Sequence, residues 1–464
     1  MSLPTKLTVL VMASFLSAAP LYADTKRMQD VAALLGIEAA GNPAAKDAEA
    51  AVARLVEQGL RSHPRIKVRE AELEARRALV NAAQGRYQPT LRVDGSAQQR
   101  IDKNLKDDQR SRADSLGASL VLEENLYRGG LDAGAVDLAR QDESLAEIQK
   151  VLEGEQLAYQ VARSATAYNF QFFRQMIEEA SLTDASELRS LAERKFNAGQ
   201  VGKIDVHLTG MRESAARSSA ARASIETQQN YLNLLNLLGP QESADALTAD
   251  LNALTKAALP FPAALPELKA PEAPSLDEQD SLARQKRAEI SLDQNYRARY
   301  LPRVDLVGRL GQDERSDWLL ADEDLKVKNK NQFTSVSLQF SWNLWDRTQD
   351  HEIRAAAAEK TAATSLLEAT RYETSMETQR LRRYITDLHK TLEISREAYR
   401  QAGQLYDAQR RLYESGVIGI QPLMDAEREK RDAIRAWQQN VYELQLSLLN
   451  WQALQKGYLS RDPS

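Results

Sequence analysis

Four histidines, His63, His207, His351 and His389, are the side chains of this 464-residue chain best suited to move a proton or hold a metal near neutral pH. They are scattered, with none of the short spacings that bring two ligands onto one helix face. There is no cysteine, which excludes thiol nucleophiles, disulfides and thiolate metal sites. The stretch YRGGLDAG (Tyr127–Gly134) carries glycines but lacks the Gly-Lys-Ser/Thr that would grip a phosphate. Carboxylates are plentiful, 66 Asp and Glu against 61 Lys and Arg, and they alternate with the bases as solvated helix faces do. No catalytic residue, metal or cofactor is expected. A net charge of -5 with no basic block likewise predicts no nucleic-acid partner.

What recurs instead is a turn. ERKFNAGQVGKIDVHLTGMRE (Glu193–Glu213) and RRLYESGVIGIQPLMDAERE (Arg410–Glu429) each place an aromatic three residues before a glycine. A short segment of apolar residues and glycine follows, then a long helix-forming run. Gly199 and Gly416 suit the C-caps of helices. They stand 217 residues apart, close to the offsets of 213 between Pro89 and Pro302 and 218 between Asn125 and Asn343. The chain is therefore read as two copies of one unit, at 24–238 and 276–456, with a tail at 457–464. Between the copies, residues 239–275 hold six of the fourteen prolines and are expected to be a linker or an irregular belt packed on the outside.

The first residues, MSLPTKLTVLVMASFLSAAPLYAD, carry Lys6, an apolar run from Leu7 to Leu16 and small residues. They predict a secretory signal peptide over 1–23. No other apolar run approaches the roughly 20 residues of a membrane-crossing helix, so membrane entry would require a β-barrel.

Proline placement limits where helices can run. None occurs between Pro89 and Pro240 or between Pro302 and Pro422. Leu131, Leu138, Leu145, Leu152 and Tyr159 recur every seven residues, a coiled-coil seam. Long helices are predicted over 128–196 and 346–414, each about 100 Å at ~1.5 Å per residue, followed by tips at 197–205 and 415–422 and return helices to 238 and 456.

Before each long helix lie two segments with period-two alternation, predicted as strands at about 88–99, 114–126, 301–311 and 333–345. Val336, Leu338, Phe340, Trp342 and Leu344 alternate with Ser335, Ser337, Gln339, Ser341 and Asn343, and the other three segments follow suit more weakly. One face is apolar and the other polar, as in outer-membrane barrel strands. The connections Gln99–Ser115 and Gly311–Gln332 are charged and are expected to be long external loops. Tyr87, Tyr127, Tyr300, Trp342 and Trp345 gather at the opposite end, as an interfacial aromatic girdle would. Four strands cannot close a barrel, and open edges are not tolerated in hydrocarbon. Several chains must pool them: two give eight strands, three twelve, four sixteen.

Together the leader, the two repeats and the tips resemble the TolC-like outer-membrane factor family over nearly the whole mature chain. The specific markers are AEAAVARLVEQGLRSHPRI (Ala48–Ile66), the Tyr-x-Pro starts of strands, RLYESG and DAERE. The resemblance implies an α+β membrane protein: a homotrimer whose twelve-stranded transmembrane β-barrel continues into a long α-helical periplasmic tunnel. It implies residence in the outer membrane of a Gram-negative bacterium and partnership with a periplasmic membrane-fusion adaptor and an inner-membrane ABC or other transporter. Gly199, Val201, Gly202, Gly416, Ile418 and Gly419 would meet the adaptor. Tyr413, Asp205 and Asp425 would form the periplasmic gate and pore. The chain departs from the family at Ile418, where a gating Arg is expected, and at Pro422, which replaces a second pore acid. Its gate would be weaker, or latched by other contacts. With no cysteine for lipid attachment, the chain leans toward the family's non-lipidated branch and so toward the exit duct of a type I protein secretion system, with small-molecule efflux as the alternative. A secreted coiled-coil fibre or adhesin would explain the heptads and the leader but not the paired amphipathic strands.

Overall fold

The computed structural model describes residues 43–103, 110–239, 244–256, 258, 265, 267–269, 273–319 and 325–456. The expected signal peptide and the C-terminal tail lie outside them. Eight α-helices and four strands are described, in the order α1 (Pro43–Ser62), α2 (Pro64–Gln84), β1 (Thr90–Lys103), β2 (Arg110–Tyr127), α3 (Leu131–Asn197), α4 (Lys203–Leu238), α5 (Ala244–Lys256), α6 (Leu276–Tyr300), β3 (Arg303–Leu319), β4 (Leu325–Ser341), α7 (Arg347–Glu414) and α8 (Ile420–Lys456), with a 3-10 turn at Gly85–Tyr87 before β1. Among the described residues no helix is long and apolar enough to cross a membrane.

Two compact units result, and neither follows one copy of the repeat. One contains residues up to Val68, Val151–Leu276 and the chain from Tyr372 onward; the other contains Arg69–Lys150 and Asp277–Arg371. Each draws on both copies because α3 and α7 contribute residues to both.

The first unit is helical and is held by three apolar clusters. In one, Trp437, Phe173, Ile177, Ile385 and Leu444 are all at most 1% exposed, burying the large side chains that dominate core energetics. A second joins Leu55, Leu157, Val161 and Leu234 to Leu247, Leu251 and Leu254 of α5. The supposedly irregular linker thus begins with a helix. Between Pro240 and Pro260 there is no proline, and the three leucines fall on one helical face. Arg54 also pairs with Asp250 at 2.7 Å, and Asn169 donates to the carbonyl of Leu254 at 2.6 Å.

The second unit carries one antiparallel sheet in the order β1-β2-β3-β4, with β1 and β4 as edges. Directly opposed residues share a face. The register sets Leu122 beside Leu91, Leu120 beside Val93 and Leu310, Leu306 beside Leu338, and Val304 beside Phe340. These form one apolar face, and it is open: Val93 and Val336 are 75% exposed. The other face is polar, with Arg92 paired to Asp94 and Glu123 at 3.1 Å each. Phe333 also lies there, its ring 2.7 Å from where a Gly311 Cβ would sit, covering the glycine.

The strands run further than alternation predicts. Pairing continues to Lys103↔Arg110 and Leu319↔Leu325, so most of the two expected loops is strand. A ladder needs backbone partners, not apolar side chains, and the charges that disguise it pair with one another. Lys328 meets Glu314 at 2.7 Å, and Arg112 meets Asp114 at 2.9 Å. At the other end β4 stops at Ser341, leaving Trp342 and Trp345 just beyond it rather than inside it.

The start of α3 shifts from 128 to Leu131 because Gly129 and Gly130 make a turn at φ 63° and 77°. A Cβ at Gly129 would lie 2.5 Å from the Leu301 Cβ, and one at Gly130 2.4 Å from Arg297 Nη1. Gly129→Ala is expected to cost about 2–3 kcal/mol, combining left-handed strain with displaced packing. Gly202→Ala, where a Cβ meets nothing within 4 Å, should be near neutral. Thermal unfolding in detergent compares the two.

Candidate functional site

Both tips of the helical unit close in the same way. Gly199 sits at φ 72° and Gly416 at φ 78°. The N–H of Gly199 donates to the Phe196 carbonyl, and that of Gln200 reaches back to Lys195, both at 2.9 Å. Gly416 donates to Tyr413 at 3.0 Å, and Val417 to Leu412 at 2.9 Å. Each is a Schellman cap, which satisfies last-turn carbonyls and needs a left-handed residue. Gly202 and Gly419 are exposed, and no packing within the chain demands a glycine at either. Val201 and Ile418 are half-buried, whereas Val417 is 70% exposed.

Tyr413 is fully buried and packs with Leu188, Ile420, Leu423 and Ala426. Burial, and then the Asp205 carboxylate, push its hydroxyl above the usual tyrosine range. Asp205 is thus near enough for its charge to act on the Tyr413 hydroxyl, which has no hydrogen-bond partner among the described residues. Asp425 stands apart, exposed on α8, where Gln421 Nε2 donates to it at 3.3 Å.

Beside Tyr413 lies a residue that sequence reasoning missed. Lys195, only 7% exposed, donates from Nζ to the carbonyls of Tyr413 at 2.6 Å and Glu414 at 3.0 Å. It also lies 4.9 Å from the Tyr413 ring centroid. The last carbonyls of α7 have no helical partners and sit at the negative end of its dipole, so an ammonium from α3 satisfies both demands. One side chain thereby ties the first helical hairpin to the second.

Further along the hairpins runs a buried polar ladder. Glu427 on α8 accepts two bonds from Arg212 of α4, at 2.7 and 2.8 Å, one from Ser181 of α3 at 3.3 Å and one from Arg431 at 3.5 Å. Beyond it, Arg435 forms a bidentate pair with buried Glu178, which Arg174 also approaches at 3.5 Å. Charged residues in a helical repeat look like solvated surface, which hides this interior. The one available signal was the position of Arg212 and Glu427 inside the two repeated motifs, in TGMRE and DAERE.

Asp184 faces a cleft of about 320 Å³ lined in part by Glu187, Tyr406, Arg410 and Glu414. Burial pushes its carboxyl up to about 6; Glu427 and Glu187 add to the rise, and Lys430 and Arg410 oppose it. Because the folded value lies above the unfolded one, the neutral acid favours the fold, and that stability is lost as pH rises from about 4 through 6. Asp184→Asn is expected to stabilise the fold at pH 7.5, by up to about 3 kcal/mol and so with a higher melting temperature, and to change it little below pH 4. Unfolding scans of both proteins across pH test this.

In the sheet unit, Tyr87, Tyr127, Tyr300, Trp342 and Trp345 lie at one end, beside the pairs Thr90↔Glu123 and Arg303↔Ser341. All five are exposed, Trp345 by 78%.

Long helices joined by capped turns, together with an amphipathic sheet open at both edges, define the fold of the outer-membrane channels. Among solved structures, the chain is similar to the outer-membrane channel OprN (21% identity, TM-score 0.73, covering 89% of this chain and 91% of that one). It is similar to the outer membrane protein VceC from Vibrio cholerae (15%, TM-score 0.70, 87% and 96%). It is also similar to the open state of the Neisseria gonorrhoeae MtrE outer membrane channel (16%, TM-score 0.64, 89% and 90%). No family model and no curated protein matches the chain.

Proposed function

We propose that the chain is the outer-membrane duct of a bacterial export assembly. Three copies pool their strands into a twelve-stranded barrel, and the helices extend into the periplasm. The observation that carries this reading is the sheet itself: its apolar face is uncovered, both edges are unpaired and aromatics line one end. Water tolerates none of this over a large area, whereas lipid and neighbouring copies satisfy all of it. The apolar run of β4 from Thr334 to Phe340 rises about 20 Å at ~3.3 Å per residue, near the height of a barrel's lipid-facing band. The polar face, with its paired Arg92, Asp94 and Glu123, then lines an aqueous passage.

At the tips, Gly199, Val201, Gly202, Gly416, Ile418 and Gly419 form the surface offered to a periplasmic adaptor, which links the duct to an inner-membrane transporter. Tyr413 and Asp205 belong to the closed gate, and Asp425 faces the passage. Lys195 and the Arg212–Glu427 pair take the part of the arginine that Ile418 replaces. Type I protein secretion is the export class we assign, and small-molecule efflux is the second reading.

Purification from outer-membrane fractions, heat-modifiable gel migration and ion conductance of a trimer in planar bilayers test the channel. A detergent-independent, water-soluble monomer would overturn it. Co-purification with an adaptor, and loss of one secreted protein on deletion, decide the cargo class.

A further inference from the structure

The two edges of the sheet end alike at the aromatic end. Arg86 lies in the turn just before β1 and next to Tyr87; Arg347 opens α7 just after β4, its guanidinium 5.9 Å from the Trp345 ring centroid. Both arginines are exposed, and among the described residues neither has a carboxylate partner. Their neighbours differ: Arg299 pairs with Asp350 at 3.0 Å, Arg297 with Asp293 at 2.7 Å and Arg128 with Asp305 at 3.5 Å. Two free cations thus stand at the rim of an open apolar face, one at each edge. If copies of the chain close a barrel, as proposed above, β4 of one copy lies against β1 of the next, and these two arginines flank the same seam.

We propose that each seam binds the phosphate of an anionic phospholipid, gripped by Arg347 of one copy and Arg86 of the next. The chemistry is complementary. A guanidinium presents a planar fork to phosphate oxygens. Trp345 and Tyr87 sit at headgroup depth, and Leu91 and Phe340 on the adjoining edge strands offer acyl chains an apolar wall. Arg303, opposite Ser341 of β4, is also exposed and makes no ion pair among the described residues, but it lies one strand in from the edge. Arg347 and Arg86 are the two cations that the edges themselves bring to a seam, so the proposed site is complete only in the assembly. The inference rests on the channel reading and adds a lipid preference to it.

The test is native mass spectrometry of the full-length, delipidated assembly offered phosphatidylglycerol or phosphatidylcholine. Preferential retention of phosphatidylglycerol is expected, weakened about fivefold by Arg86→Gln or Arg347→Gln and further by both together. Phosphatidylcholine retention should not change. Among the described residues neither arginine makes a side-chain hydrogen bond that folding would miss, and the gel shift on heating checks this. Co-assembling Arg86→Gln chains with Arg347→Gln chains regenerates some intact seams, so retention should exceed that of either variant alone. An intact assembly that holds both lipids equally, a double variant that keeps its phosphatidylglycerol, or mixed assemblies no better than either parent would each overturn the seam site and leave the channel standing. A monomer that takes up neither lipid would overturn both.

Discussion

Glu427→Ala is expected to destabilise the helical unit by about 3–5 kcal/mol, the usual cost of removing one partner from a buried ion pair. The carboxylate is 4% exposed and satisfies Arg212, Ser181 and Arg431 together. Without it the Arg212 guanidinium keeps only the Ser181 hydroxyl, and Arg431 keeps only Asp432 at 3.5 Å. Because Arg212 lies on α4 and Glu427 on α8, the loss falls on the join between the two hairpins, and on the channel reading proposed above conductance should rise as the proposed gate loosens. The pair need not stabilise the fold relative to an apolar packing of the same shape. The double change Arg212→Met with Glu427→Leu should therefore recover much of the stability while leaving the hairpins free to part. Thermal unfolding and single-channel recording separate the two effects. If Glu427→Ala melted and conducted like the native protein, the buried ladder would have no role as a latch.

Lys195→Met is expected to cost about 2–3 kcal/mol, from two charge-assisted hydrogen bonds and the favourable end of a helix dipole. Methionine keeps the apolar stem in place, so the loss reports the ammonium and not a cavity. The carbonyls of Tyr413 and Glu414 lose their partner, and the last turn of α7 should fray. Amide exchange at Gly416 and Val417, whose N–H groups close that turn, should quicken while exchange around Trp437 stays slow. On the same reading conductance should increase, as expected for Glu427→Ala, and the two changes should add if the proposed latches act independently. Unaltered exchange at the tip would remove Lys195 from the gate.

Periodicity is a local property, and it determined a great deal here. Proline-free runs with apolar heptads gave α3 and α7 to within a few residues. Alternation located all four strands, and aromatic-x-x-Gly marked both Schellman caps. The excess of open, amphipathic strand over what one chain can seal was also visible, because a face and an edge are written in consecutive residues. Only the tertiary structure decided where charge is buried. Glu427, Lys195 and Asp184 are spelled like solvated helix surface, and their burial depends on which helix packs beside them. The strand ends followed the same rule: charged residues beyond the apolar band hide a ladder until their cross-strand partners, such as Glu314 and Lys328, are in register. α5 emerged from a proline-rich stretch because Leu247, Leu251 and Leu254 found α1 to cover them. Pattern along the chain sets which face is apolar, but the partner that each charge or face meets comes from residues far away in sequence.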